Sequence, residues 1–341
     1  SVYEDPSFHI RLADAVRSLK IGPATDLATI MGPLIAPARG PLERALTTLE
    51  PGETWLVEPT QINDTTWTPG VRKDVQPNSW FHLTECFGPV LGLMRADNLA
   101  HAVELQNTPI YGLTGGIQSL DPEEIAYWRE NVQCGNAYIN RHITGAIVRR
   151  QPFGGWKRSS IGSGTKPGGP DHLHSYGTWR TGANPLPNWR VSGVELAISA
   201  YRSIWNEYFA LEHDPSALQC ERNTLRYLPL DRVIVRINST TSTDAQLLRA
   251  AARIIGTPIE FSTPDTESEE ELLSRLSGQT GEVRLRILSE VTNDLLRVAH
   301  ASGITIDDSP VTGVGRLDLL RFVKEQAISQ TMHRYGRLTN K

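Results

Sequence analysis

Cysteine, methionine and aromatic side chains are scarce here: three Cys, three Met and 7% aromatic residues in 341. Three cysteines (Cys86, Cys134, Cys220), odd in number and far apart, do not make a disulfide framework and fit reduced thiols in a cytoplasmic protein. No apolar run approaches the roughly 18 residues of a spanning helix, so no membrane span is expected. A charged-then-apolar leader is also missing, which argues against a secretory signal. The chain opens on Ser1 rather than Met and runs directly into a helix signal, the mark of a fragment or a processed chain. No charge of one sign dominates: 34 Lys and Arg stand against 38 Asp and Glu, for a net −4. With a pI near 6.2, this gives no electrostatic case for nucleic acid or an anionic membrane. The length allows two domains, each with a core of its own.

What is present is concentrated between Tyr138 and Lys157, Y-I-N-R-H-I-T-G-A-I-V-R-R-Q-P-F-G-G-W-K. Tyr138 and Ile139 end an apolar run with the pattern of a buried strand, and Asn140 and Arg141 close it. Thr144, Gly145 and Ala146 are small enough to leave their backbone N–H groups uncovered. Consecutive uncovered amides form a concave donor site for a carboxylate or phosphate. Pro152, Gly154 and Gly155 then frame Phe153, setting an aromatic ring between a rigid residue and two permissive ones. Each residue alone fits an ordinary loop; the run as a whole is the functional candidate. Arg149 and Arg150 compete for the anion, although long exposed arginines more often form a solvated face.

Asp5-Pro6 supplies an N-cap and a first-turn proline. Phe8, Leu12, Ala15, Val16 and Leu19 then share one helical face, which Gly22-Pro23 ends. A second helical stretch runs through Leu42, Ala45, Leu46 and Leu49. Strands are expected over 55–59 and 89–94, with a helix capped by Asp97 next and a glycine-rich strand over 111–117. Asp121-Pro122 opens a helix buried along Ile125, Trp128 and Val132, and a strand over 135–140 leads into the run above. Strands alternating with helices imply a largely parallel sheet. Residues 162–166 fail the phosphate-loop spacing and read as a flexible turn. His172 and His174 alternate near a strand expected over 173–180, with no third ligand, so no metal is expected. After a linker over 183–188, Val194, Ile198, Tyr201, Trp205, Tyr208 and Phe209 mark an amphipathic helix. Strands over 233–237, 258–262, 284–288 and 304–306 alternate with helices over 244–255, 267–276 and 293–301, a doubly wound α/β pattern. The first of these strands is followed by Asn238-Ser239-Thr240-Thr241 without a glycine fingerprint, so no dinucleotide is expected there. Cys86 has His82 and Glu85 nearby but no identifiable activating environment, and it reads as a small buried hydrophobe.

The run I-T-G-A-I-V-x-R-Q-P-F-G-G-W-K resembles the substrate loop of the aldehyde dehydrogenase family. It is most similar to the branch that oxidises L-glutamate γ-semialdehyde, the 1-pyrroline-5-carboxylate dehydrogenases. Trp156-Lys157 and Lys166-Pro167-Gly168-Gly169-Pro170 resemble the bifunctional proline-utilisation enzymes, which join that activity to a proline dehydrogenase. Glu85-Cys86-Phe87-Gly88-Pro89-Val90 is similar to the family's E-x-F-G-P-V, and Tyr111-Gly112-Leu113-Thr114 to its Y-G-L-T. The tail E-Q-A-I-S-Q-T-M-H-R-Y-G resembles the terminal motif of the proline-utilisation enzymes.

This resemblance implies an α/β fold with three parts. Residues 1–180 would be the C-terminal portion of a dehydrogenase catalytic domain, 181–220 a linker and helix, and 221–341 a second, non-catalytic α/β domain with a structural tail that could also cover the dehydrogenase site. It implies NAD as cofactor, with Glu85 on the nicotinamide ribose and Phe87 beside the ring; NAD against NADP stays open. It implies glutamate semialdehyde as substrate, held by Thr144, Gly145, Ala146 and Phe153. No catalytic residue is assigned within the chain, because the family's nucleophilic cysteine, general base and main cofactor fold are expected upstream of Ser1. The expected partners are a proline dehydrogenase domain in the same polypeptide and a second copy of the protein. The alternative is a non-catalytic fragment or assembly module of the same fold.

Overall fold

Proline in the first turn fixes where three of the helices begin. Pro6, Pro41 and Pro122 each take that position, where a missing N–H costs nothing. The structure, a computed structural model, describes residues 2–148, 150–160, 162, 164–177, 189–279, 282–334 and 337–338. It has two compact units, 1–110 and 111–341. Among the described residues no helix is long and apolar enough to cross a membrane.

In the first unit, helix α1 (Pro6–Arg17) is capped by Asp5, whose Oδ1 accepts the Ser7 N–H at 2.8 Å. Its buried residue is Ala13, while Ala15, expected on the inner face, is exposed. Helix α2 (Pro41–Thr47) stops before Leu49. Strands β1 (Thr54–Val57), β2 (Gly70–Lys73) and β3 (Val90–Gly92) make one sheet in that order, antiparallel then parallel. Helix α3 (Leu99–Asn107) is capped by Asn98, not by Asp97, through a 2.9 Å bond from the His101 N–H. The core here is small, centred on Ala13, Val57 and Val71. It is supplemented by Arg72, which is fully buried on the carboxylate of Glu53 and lies under the rings of Trp55 and Phe81.

After the short pair of Tyr111–Gly112 with Trp156–Lys157, the second unit has strand β4 (Thr114–Ile117), helix α4 (Pro122–Asn131) and strand β5 (Asn136–Ile139). Helix α5 (Trp189–Ile204) runs into one turn of π-helix, and strand β6 (Glu221–Pro229) follows. Next come β7 (Arg232–Ile237), α6 (Thr243–Ile255), β8 (Ile259–Ser262), α7 (Glu269–Ser277), β9 (Val283–Leu288), α8 (Asn293–Ala301) and β10 (Thr305–Asp307). The expected α/β alternation is therefore present, within two residues at each boundary. These strands form a wholly parallel sheet in the order β8-β7-β9-β10. Both faces of this sheet are covered, as a parallel sheet requires: α6 packs on Val233, Val235 and Ile237, and α7 and α8 pack on Ile234, Leu285 and Ile287.

Strand β11 (Val323–Thr331) is central in another sheet, ordered β6-β11-β5-β4. It pairs antiparallel with β6 and parallel with β5. The tail, expected to be structural, supplies most of this strand; its Tyr335 and Gly336 lie outside the described residues. Two local expectations are corrected. His172–Ser175 is a 3₁₀ turn and not the start of a strand, because Tyr176 OH bonds back to His172 at 2.7 Å. Residues 178–180 and the linker over 183–188 lie outside the described residues. Lys166, expected in a flexible turn, is only 1% exposed.

Candidate functional site

In the first unit one helical turn, Trp80–Leu83, is capped by Ser79, and the chain then passes through Glu85-Cys86-Phe87 into β3. Glu85 is exposed and makes no hydrogen bond or ion pair with any described residue. Phe87 is 88% exposed with φ of +42°, a region bulky side chains seldom occupy. An uncommitted carboxylate two residues from a ring held out of the core is an arrangement open to a ligand. Cys86 lies between them, half-buried, with burial raising its thiol above the usual range and its S–H on Thr84 O at 3.6 Å. His82 does not activate it: Nδ1 accepts the Asn78 N–H at 3.0 Å and Nε2 bonds to Leu105 O at 2.9 Å.

In the second unit the expected loop leaves β5 at Asn140, whose positive φ of 57° turns the chain while its Oδ1 accepts the Ser119 N–H at 3.0 Å. Gly145 has φ of +79°, and no described hydrogen bond uses the N–H of Thr144, Gly145 or Ala146. The loop then closes on Gln151, 2% exposed. The Gln151 Oε1 accepts the Ile147 N–H at 2.8 Å, and its Nε2 reaches Asn223 Oδ1 and Ser329 Oγ at 2.8 and 3.2 Å. Of the two competing arginines, Arg149 lies outside the described residues and Arg150 stands 4.0 Å from Glu221.

The Phe153 turn is fastened from beneath. Asn136 on β5 donates to Pro152 O at 3.1 Å and accepts the Gly154 N–H at 3.0 Å. The Phe153 N–H bonds to Pro167 O at 3.0 Å, and the Lys166 ammonium reaches Gly154 O and, at 3.4 Å, Asn136 Oδ1. With its backbone committed inward, the turn presents the Phe153 ring, 40% exposed, to a cleft of ≈ 670 Å³. Leu113, His174, Asp308 and Arg321 are among the other walls. Thr144, Gly145 and Ala146 are not among the described residues lining this cleft. The supporting roles of Asn136, Gln151, Lys166 and Glu325 were not read from the sequence, although Gln151, Lys166 and Glu325 lie within motifs quoted there. An asparagine inside an apolar strand, where that residue is depleted, was the one local signal.

The sequence pattern of the aldehyde dehydrogenase family matches residues 1–181. The chain is 37% identical over 168 residues to the 1-pyrroline-5-carboxylate dehydrogenase of Geobacillus sp. (strain WCH70), covering 48% of this chain and 32% of that protein. It is 36% identical over 162 residues to the enzyme of the same name from Bacillus subtilis (strain 168), covering 46% and 31%. Proline Utilization A of Corynebacterium freiburgense superposes with a TM-score of 0.87 at 41% identity, over 98% of this chain and 35% of that one. The chain thus spans about a third of the length of the curated relatives it matches. Because the family pattern covers more than half of its 341 residues, the chain belongs to the aldehyde dehydrogenase family.

Proposed function

We propose that the chain is part of a dehydrogenase that oxidises L-glutamate γ-semialdehyde, the open form of 1-pyrroline-5-carboxylate, to L-glutamate in proline breakdown. In this reading residues 1–180 belong to the catalytic domain and 221–341 to a C-terminal domain. The observation that carries it is the turn at Thr144, Gly145 and Ala146, with three uncommitted amides and a glycine at positive φ. Such a turn suits the carboxylate that distinguishes this aldehyde from a simple one. Phe153 packs along the methylenes between carboxylate and aldehyde. Glu85 accepts the hydroxyls of the nicotinamide ribose and Phe87 borders the ring; both fit NAD in being exposed and uncommitted. NAD, when bound, takes up the hydride released by the aldehyde carbon. The names of the curated relatives and of the Corynebacterium freiburgense neighbour support the substrate. A proline dehydrogenase in the same polypeptide and self-association belong to the same reading.

The test is a graft: the 341 residues replace the matched third of the Corynebacterium freiburgense protein, and NADH formation is followed with glutamate semialdehyde. Steady turnover is expected from the graft and none from the 341 residues alone. A folded but inactive graft would favour the assembly-module alternative, and turnover by the 341 residues alone would return Cys86 to consideration.

A further inference from the structure

We propose that strand β11 holds the Phe153 turn in shape through Glu325 and Lys166, which makes both of them positioning residues for the aldehyde site; this rests on the role given above to Phe153. A surface turn that merely connects two elements has no need of a buried lysine, since an ammonium leaves water only at a cost. Here the two ends of Lys166 do separate jobs. Its backbone N–H donates to Glu325 Oε2 at 2.8 Å, and its ammonium lies on Gly154 O and near Asn136 Oδ1. Asn136 in turn holds Pro152 O and the Gly154 N–H, and the neighbouring Pro167 O holds the Phe153 N–H. The backbone polar groups on either side of the Phe153 ring therefore end on Lys166, its neighbour, or Asn136. Glu325 adds a second tie, because its main-chain O accepts the Trp156 Nε1–H at 2.7 Å.

The link sits in a charged, water-poor cluster. Lys166 faces Glu325, Cys134 and Glu282. Glu325 faces Lys166 and the carboxylate of Asp171, which is fully buried and held by Tyr227 OH at 2.5 Å and Arg316 Nη2 at 2.6 Å. Burial brings the Lys166 ammonium down to about 8, against the pull of Glu325, and burial with Asp171 brings the Glu325 carboxyl up to about 8. The pair thus changes charge within a mild pH range. Above that range Lys166 is neutral and its hold on Gly154 O weakens.

The experiment uses the 341-residue chain with 4-fluorophenylalanine at position 153, followed by ¹⁹F NMR and amide exchange from neutral to alkaline pH. The ¹⁹F resonance should move with a midpoint of about 8, and the protection of the Phe153 and Gly154 amides relative to their intrinsic exchange should fall above it. Lys166→Met should leave only the Glu325 titration in the ¹⁹F signal and speed those two amides about tenfold, the equivalent of about one net hydrogen bond. Glu325→Gln keeps an oxygen for the Lys166 N–H, so exchange should stay slow while the midpoint falls; Glu325→Leu should loosen the turn. A ¹⁹F titration unchanged by Lys166→Met, or amides indifferent to it, overturns the proposal. Should Lys166→Met not fold, an unmoved midpoint in Glu325→Gln overturns it alone. No arm contains substrate, so failure here leaves the functional reading standing, and failure of that reading leaves these spectra unchanged.

Discussion

Gly135→Ala is a small change with a large expected consequence. Gly135 precedes β5 in a pairing arrangement on both sides: its N–H bonds to Gly112 O and its O accepts the Ala327 N–H, each at 2.9 Å. A Cβ at this position would overlap Gly154 O and lie 2.8 Å from both Gly155 Cα and Lys166 Nζ. Two of these neighbours are backbone atoms that no rotamer change can clear, so the Phe153 turn must lift. Alanine reduces unfolded-state entropy, worth about 0.4–1 kcal/mol in its favour. Against this, overpacking costs about 1–3 kcal/mol. The bonds from Asn136 to Pro152 O and Gly154 N, at 3.1 and 3.0 Å, are strained as well. Overpacking wins, for a net loss of about 1–2 kcal/mol, or about 2–8 °C in Tm for a unit of this size. Differential scanning calorimetry of the 341-residue chain reads the loss, and amide exchange locates it at 153–155. Gly278→Ala is the control, since its nearest neighbour would be Arg275 O at 3.9 Å. An unchanged Tm with unchanged exchange at 153–155 would refute the reasoning.

Three further outcomes follow from the same structure. In the grafted enzyme Glu85→Gln should weaken cofactor-dependent steps by about tenfold to a hundredfold, as expected for bonds to a charged group; a defect confined to the hydrolytic half-reaction would contradict its assignment to the cofactor. Glu53→Ala strands the guanidinium of Arg72, whose side chain is 0% exposed, and should cost about 3–5 kcal/mol in urea unfolding. Glu53→Leu with Arg72→Leu should cost far less, and a loss as small as that of a surface pair would show that water reaches the site. Burial pushes the Cys134 thiol up to about 12, so a maleimide should label the exposed Cys220 in the native chain and Cys134 only after unfolding. Equal labelling rates by peptide mapping would reopen Cys134 as a reactive thiol.

The parts of the fold legible in the sequence were those whose causes are local. Asp5-Pro6 and Asp121-Pro122 start helices because each aspartate reaches an N–H two residues on, at 2.8 Å in both cases. The strands and helices from Val233 onward follow apolar periodicity, since a parallel sheet is buried on both faces. What escaped depends on distant partners. Lys166 is buried because Glu325 accepts its N–H across 159 positions, and a lysine between threonine and proline looks like a solvated turn. Strand β11 takes a central place through pairing with β5, which no local pattern announces. At the candidate site, the turn around Gly145 was legible because its small residues are adjacent in the chain, and its positive φ of 79° suits glycine. The support beneath Phe153 was not, because Asn136, Lys166 and Glu325 meet only in three dimensions.

The central claim is that the Thr144–Ala146 turn receives a carboxylate, and Gly145→Val tests it most directly. A Cβ at Gly145 meets only His142 Nε2, at 3.6 Å, so the space is open and the unit should still fold. The backbone at φ of +79° is another matter, because a β-branched residue is a poor occupant of that region and would turn the three amides away. Energy from a remote group can be used at the reacting centre. In the grafted enzyme kcat/KM for glutamate semialdehyde should therefore fall by about tenfold to a hundredfold, while that for propanal, which has no carboxylate to place, stays within about twofold. Equal losses on the two aldehydes would contradict the claim.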